Sequence, residues 1–326
     1  MKEHYDMNRH RSGNPVACAV FGLLFLGTCT AASADSATSG PQFFKDCDVC
    51  PELVRIRPGE FQMGLREGET VPPGFPEDQI LHELPAHVVQ IDYPFAIGRY
   101  EVSIGEFAAF ATATDFDGKG CFVQVDKAWE FSPDASFRAP GFDVTDADAA
   151  ACLSYNDAAA YLQWLSSRTG QTYRFPTEAE WEYVVRSGLG DEPMPSDLGA
   201  QACEHLNGSD ATFGQEFTED WKPGLFECDD GHATTAPVGS YKPNKLGMYD
   251  VFGNVSEWTE DCSGRNYEGA PVDGSARHLE PCPTHILRGG TFAGGPGYLR
   301  PSRRGGFPIQ LRGDGHGLRV VREVGN

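Results

Sequence analysis

The spacing of apolar positions changes period several times along the chain. Leu53-Val54-Arg55-Ile56-Arg57 alternates as a strand does, and Pro58-Gly59-Glu60-Phe61 turns it into a second strand ending at Met63-Gly64. Leu84 to Ile91 leads into Phe95-Ala96-Ile97, a strand pair with an irregular connection. The period then becomes helical. Ser103 and Glu106 have capping-box spacing ahead of Phe107 and Phe110, predicting a helix through Ala113. A second helix is predicted from about Asp157 to Arg168, with Tyr161, Leu162, Trp164 and Leu165 on its apolar side and Gly170 to stop it. Thr177 and Glu180 cap a third, whose core side is Trp181, Val184 and Val185 and whose end is Gly188. Residues 65–80 and 115–151 keep no steady period and read as loops, the second packed down by Trp129, Phe131, Phe137 and Phe142. Loops and short strands are expected from 189 to 245, and core strands at Ile286–Phe292 and Gly317–Arg322. With no repeat and no clean linker, this reads as one α+β domain over residues 51–326, with 35–50 as a flexible leader.

Leu246 to Trp258 does not fit a simple period. It joins Tyr249, Phe252 and Trp258 to Gly253-Asn254, the residue types that best tolerate left-handed backbone, with Glu257 alongside. Two readings stay open: a tight turn between core strands, or an oxygen-ligand ion site.

Charge and cysteines then narrow the setting. The formal charge of −21 argues against nucleic acid as a partner. Residues 1–34 have the form of a signal segment: Lys2, Arg9 and Arg11 precede an apolar run from Val16 to Cys29, and Ala32-Ser33-Ala34 offers a cleavage site. That run is too short for a membrane span, so a periplasmic or secreted location is expected; lipid attachment at Cys29 is the weaker alternative. Eight cysteines remain beyond it, an even count that suits disulfides in an oxidising compartment. Neighbour pairing would join Cys121 with Cys152, Cys203 with Cys228 and Cys262 with Cys282, leaving Cys47 and Cys50 as a local clip or a pair bonded elsewhere.

A set of motifs carries a resemblance. They are Phe61-Gln62-Met63-Gly64, Glu83-Leu84-Pro85-Ala86-His87-Val88, Arg99-Tyr100-Glu101-Val102, Tyr173 to Tyr183, Thr235 to Ser240, Leu246 to Trp258, Leu287-Arg288-Gly289-Gly290-Thr291 and Gly317-Leu318-Arg319-Val320. In order and spread they resemble the sulfatase-modifying-factor family, the formylglycine-generating-enzyme-like domains. The resemblance implies a fold related to C-type lectins, with little regular secondary structure, and structural calcium (Ca2+). Carried over by motif, one calcium set is Asn207, Gly208, Asp230 and His232, the last through its carbonyl, and the other is Phe252, Gly253, Val255 and Glu257. The second set departs from the family pattern at Ser256. The founding activity of the family oxidises a cysteine to formylglycine with copper held by two cysteines after the Arg-Gly-Gly strand. Gly294 and Leu299 stand at the matching positions, so no copper is expected at that place. Related exported bacterial proteins, one of them needed for maturation of a siderophore chromophore, share the scaffold without the pair.

Candidate substrate-pocket residues are Arg288, Tyr298, Arg300, Arg303, Arg304 and His316, in glycine-rich surroundings where arginines would take a carboxylate or peptide carbonyl. The plainer alternative pairs Arg288 and Arg303 with buried acids and packs His316 into a loop. Nucleophile-elbow, phosphate-loop and zinc-protease motifs are missing. Two functions are therefore expected: oxidative maturation of a peptide or secondary metabolite without two-cysteine copper chemistry, or a non-catalytic, lectin-like accessory module for an exported protein client.

Overall fold

The computed structural model describes residues 40–325 apart from 73–74, 126–127, 191, 195–196 and 218–223; residues 1–34, expected to be a signal segment and including Cys29, lie outside the described residues. Capping boxes start each of the three longer helices. In α2 (Ile104–Thr114), α3 (Tyr155–Thr169) and α4 (Glu178–Leu189), the hydroxyl of Ser103, Ser154 or Thr177 accepts the backbone N–H three residues on, and the carboxylate there accepts the cap's own N–H. The box at Ser154-Asp157 places the start of α3 two residues ahead of the sequence expectation.

These helices cover a five-stranded sheet made of β1 (Phe43–Phe44), β2 (Leu53–Ile56), β5 (Phe95–Gly98), β13 (Val321–Glu323) and β8 (Tyr173–Arg174), in that spatial order. All its pairings are antiparallel. Val54, Ile97 and Val321 pack with Trp181, Val184 and Val185 of α4. Leu53 and Ala96 pack with Phe107 and Phe110 of α2 and with Tyr161 and Leu165 of α3. Helices on both faces explain why every residue of β5 is buried and why its sequence lacks alternation. β3 (Gly59–Met63) and β4 (His87–Ile91) form a separate antiparallel pair, and α1 (Glu77–Ile80) is a single helical turn in the connection between them.

The second large sheet has the order β11 (Gly305–Pro308), β10 (Thr284–Arg288), β9 (Ser256–Cys262), β12 (His316–Gly317). β12 runs parallel to β9. All eight cysteines beyond residue 34 are disulfide-bonded, as Cys47–Cys50, Cys121–Cys152, Cys203–Cys228 and Cys262–Cys282.

Four sequence expectations change. β4 and β5, expected as a strand pair, lie in different sheets, β4 pairing with β3 and β5 with β2 and β13. Residues 40–50 are not the end of a flexible leader: Phe43 and Phe44 pair with β2, and Arg99 lies 4.2 Å over the Phe43 ring. The stretch 115–151 contains a hairpin, β6 (Cys121–Val125) and β7 (Ala128–Ser132). Only β6 turns one face to the core, so β7, exposed along most of its length, shows no alternation to read. Between 189 and 245 a short helix, α5 (Ala211–Phe217), replaces the expected strands; Asp210 accepts the Phe213 N–H at 3.0 Å to start it.

Candidate active-site cavity

The arginine-rich segment after β10 is fastened by carboxylates from distant parts of the chain. Arg288 pairs with Glu182 of α4, which also accepts from Arg186 Nε at 2.6 Å and from the Gly64 N–H at 2.8 Å. Arg304 grips Glu178 through two bonds of 2.7 and 2.6 Å. Arg300 grips Glu83 through bonds of 2.8 and 2.6 Å, and Ser302 donates to the same carboxylate. All three arginines and their three partners are buried. A planar guanidinium suits such two-point contact, and pairing is what makes a buried charge tolerable.

Above this framework lies a cavity of about 470 Å³. Each strand of the four-stranded sheet supplies part of its wall: Ser256 from β9, Leu287 from β10, Gly305 and Phe307 from β11, and His316 from β12. The glycine-rich run adds Gly290, Thr291, Phe292, Ala293, Gly294 and Tyr298, and the hairpin adds Gln124 and Trp129. Asp314 joins the two parts. One of its oxygens accepts the Gln124 N–H at 2.6 Å and the other the Trp129 indole N–H at 3.1 Å. Burial raises the Asp314 carboxyl to about 6, opposed by those two donors. His316 is packed edge-on against Trp129, Trp258 and Phe307, with ring centroids 4.9–5.7 Å away, and burial lowers its pKa to about 4. It is therefore a neutral imidazole at physiological pH, and its Nδ1 is buried without a partner.

Of the six pocket candidates, Tyr298, Arg303, Arg304 and His316 line this cavity. Arg288 does not, and Arg300 borders a separate recess of about 160 Å³ beside Glu69 and Met194. The plainer reading holds for Arg288 and fails for Arg303, which has no carboxylate within 4 Å among the described residues. Arg303 donates to Gln79 Oε1 at 2.9 Å and to the Arg304 carbonyl, and its guanidinium lies 5.2 Å from the Tyr298 ring centroid. Trp129, Phe307 and Asp314 escaped sequence reasoning. The available signal was a half-polar hairpin hidden in an aperiodic loop, and no spacing rule ties Asp314 to Trp129.

Residues 40–324 match the family described as the sulfatase-modifying factor enzyme 1-like domain. The chain belongs to that family. It is 32% identical over 288 residues to the formylglycine-generating enzyme of Streptomyces coelicolor, an alignment covering 73% of this chain and 78% of the relative. It is 31% identical over 278 residues to the corresponding enzyme of Thermomonospora curvata, covering 75% and 84%. Among solved structures, PvdO from Pseudomonas aeruginosa matches with a TM-score of 0.71 and 35% identity, over 88% of this chain and all of that one.

Within the sulfatase-modifying-factor fold, the two positions matched to the copper-binding cysteines do lie together. A Cβ added at Gly294 would sit 2.8 Å from Leu299 Cδ2. Leu299 is fully buried, and its two methyls fill a socket floored by Gly208, Gly290 and Gly294. Neither residue brings a sulfur, so the residues here do not fit copper. The one grouping of three metal-ligand side chain types found among the described residues is Cys262, Cys282 and His285, and its sulfurs are bonded to each other.

The two calcium sets meet where Asn207 bridges Gly253. The first fits an oxygen-seeking cation: Asn207 is fully buried with Oδ1 unpartnered, while Asp230 accepts only neutral N–H and O–H donors, from His232 and Tyr241. Burial, with Asp210 beside it, raises Asp230 to about 7, the state a nearby cation would reverse. In the second set Glu257 is already neutralised, its oxygens taken by Arg319 at 2.7 Å and by the Trp181 indole at 2.7 Å. Phe252, Gly253 and Val255 could contribute carbonyls only.

Proposed function

We propose that this chain is an exported member of the family that acts in the oxidative maturation of a peptide or secondary metabolite in the cavity beside Tyr298 and Arg303. The observation that carries the reading is a substrate-sized space walled in part by Gly294, one of the two positions matched by motif to the family's thiolates, with the other, Leu299, buried against it behind that wall. Formylglycine generation by two thiolates cannot run on those two side chains. The missing thiolates support a role apart from sulfatases, since the resemblance ties exported relatives without the pair to chromophore maturation. Asn207, the Gly208 carbonyl, Asp230 and the His232 carbonyl would hold calcium, which in this reading braces the loops behind the Leu299 socket. Leu299 itself touches Gly208, so order in one propagates to the other.

The test is metal analysis of the purified full chain, followed by oxygen-uptake measurement with fractionated extract of the producing cell. Calcium with substrate-dependent oxygen uptake is expected. Stoichiometric copper would overturn the account of the cavity. Calcium with no oxygen uptake in any fraction would transfer the case to a binding role. That second reading has an observation of its own: Trp129 and Phe131 are 44% and 57% exposed on β7, an aromatic face of the kind that contacts another molecule.

A further inference from the structure

The cavity wall is chemically lopsided. Trp129, Phe292, Tyr298 and Phe307 make it aromatic, and its cations differ in what faces them. Arg304 is neutralised by the two-point contact with Glu178. Arg303 meets only neutral partners: an amide oxygen, a main-chain carbonyl, and the rings of Tyr298 and Phe75. Glu83 acts on Arg303 from a distance but is itself held by Arg300 and Ser302, so burial of the Arg303 guanidinium is offset only in part and an anionic ligand in direct contact would recover the rest. Asp314 lines the same cavity but makes no ion pair with Arg303; its oxygens point to the Gln124 and Trp129 N–H groups of the hairpin.

Resting on the reading of this cavity as the working site, we infer that its ligand is a flat aromatic carboxylate, held by its anion on Arg303 and by its ring on Trp129 and Phe307. One cation with no carboxylate in contact, set in a largely aromatic wall, matches one carboxylate. A phosphate would call for several converging donors, and the wall does not provide them. The stacking surface is equally specific, since rings pack on rings and on guanidinium planes where a branched aliphatic acid of equal volume does not. A space of about 470 Å³ admits a two-ring acid with room for a short extension.

The experiment titrates 2-naphthoate into the purified full chain and follows binding by tryptophan fluorescence and calorimetry, with 2-naphthylmethanol as the uncharged match. Saturable one-to-one binding of the acid is expected, with the alcohol about 10- to 100-fold weaker. Arg303→Gln erases that difference, and Arg303→Lys keeps part of it. Trp129→Ala, checked by circular dichroism for an intact fold because it also removes the indole donor to Asp314, weakens acid and alcohol by a similar factor and leaves the preference intact. Equal affinities, no binding of either probe, or a preference that survives in Arg303→Gln overturns the inference. A tripeptide ending in tryptophan separates a chain-end carboxylate from a free acid, and tighter binding of either one through Arg303 supports it. Binding with this preference but no oxygen uptake upholds the ligand class and removes the catalytic role; oxygen uptake without the preference does the opposite.

Discussion

Placing cysteines at 294 and 299 tests the packing behind the cavity wall most directly. In Gly294→Cys alone, the new Cβ lands 2.8 Å from Leu299 Cδ2 and 3.0 Å from the Thr291 carbonyl oxygen. Such overpacking costs about 1–3 kcal/mol. In Leu299→Cys alone the loss of branched methyls from a fully buried socket leaves a void, bounded above by the roughly 2–5 kcal/mol of a leucine-to-alanine change. The two faults are complementary, because the shortened side chain at 299 vacates the space that Cβ at 294 needs. The double variant should therefore be more stable than the sum of the singles by about 1–3 kcal/mol, the size of coupling seen between residues in contact. Urea unfolding of the four proteins gives the number, and competition with a chromophoric chelator reports whether the double variant alone takes up one cuprous ion. Additivity within about 0.5 kcal/mol would refute the contact between these positions, and with it their match to the family's thiolates.

Three further outcomes follow from the buried charges and the hairpin. Glu178→Gln strands Arg304 and should cost about 3–5 kcal/mol in chemical denaturation, most of it recovered in Glu178→Gln/Arg304→Met. Burial raises Asp261 to about 7, with Glu178 adding to it, and raises Asp314 to about 6. Both folded values lie above the unfolded one, so the folded chain holds more protons, and the stability these groups contribute below about pH 4 is lost as pH rises through 6 to 7. For Asp314 the change from 3.8 to about 6 corresponds to about 3 kcal/mol, and Asp314→Asn should flatten the stability–pH curve between pH 4 and 7; an unchanged slope would contradict the assignment. Replacing Cys121 and Cys152 by serine should cost about 2–4 kcal/mol and shift tryptophan emission to the red as Trp129 leaves the cavity wall; an unshifted spectrum would mean that Asp314 alone holds the hairpin.

Legibility in the sequence followed the range of the interactions involved. Helices α2 and α4 were readable because capping boxes span three residues, α3 because its apolar side repeats within a few residues and Gly170 stops it, and the neighbour-paired disulfides because their partners are 20 to 31 residues apart. The family was readable because its motifs recur in order. Roles of the arginines were not. Nothing near Arg300 in sequence distinguishes it from Arg303, yet the first is neutralised by Glu83 and the second faces the cavity without a carboxylate. The hairpin was hidden for a different reason: β7 is exposed along most of its length, Trp129 alone reaching Asp314 and His316, so burial imposed no alternation on it.

Those long-range pairs also explain how a glycine-rich wall keeps its shape. Residues 289–298 contain five glycines, two of them, Gly289 and Gly290, at positive φ, and ten such residues specify little by themselves. Their ends are fixed from outside. Arg288 reaches across 106 residues to Glu182, Arg300 across 217 to Glu83, and Arg304 across 126 to Glu178. Since two of the three carboxylates stand one turn apart on α4, that helix sets where both margins of the segment lie. Apolar substitutes could match the stability of such pairs, but they would not fix the direction of each arginine through two bonds. Register of the wall is then the property that the pairs protect, and a variant such as Glu178→Gln/Arg304→Met should regain stability while losing the ligand preference that Arg303 confers one residue away.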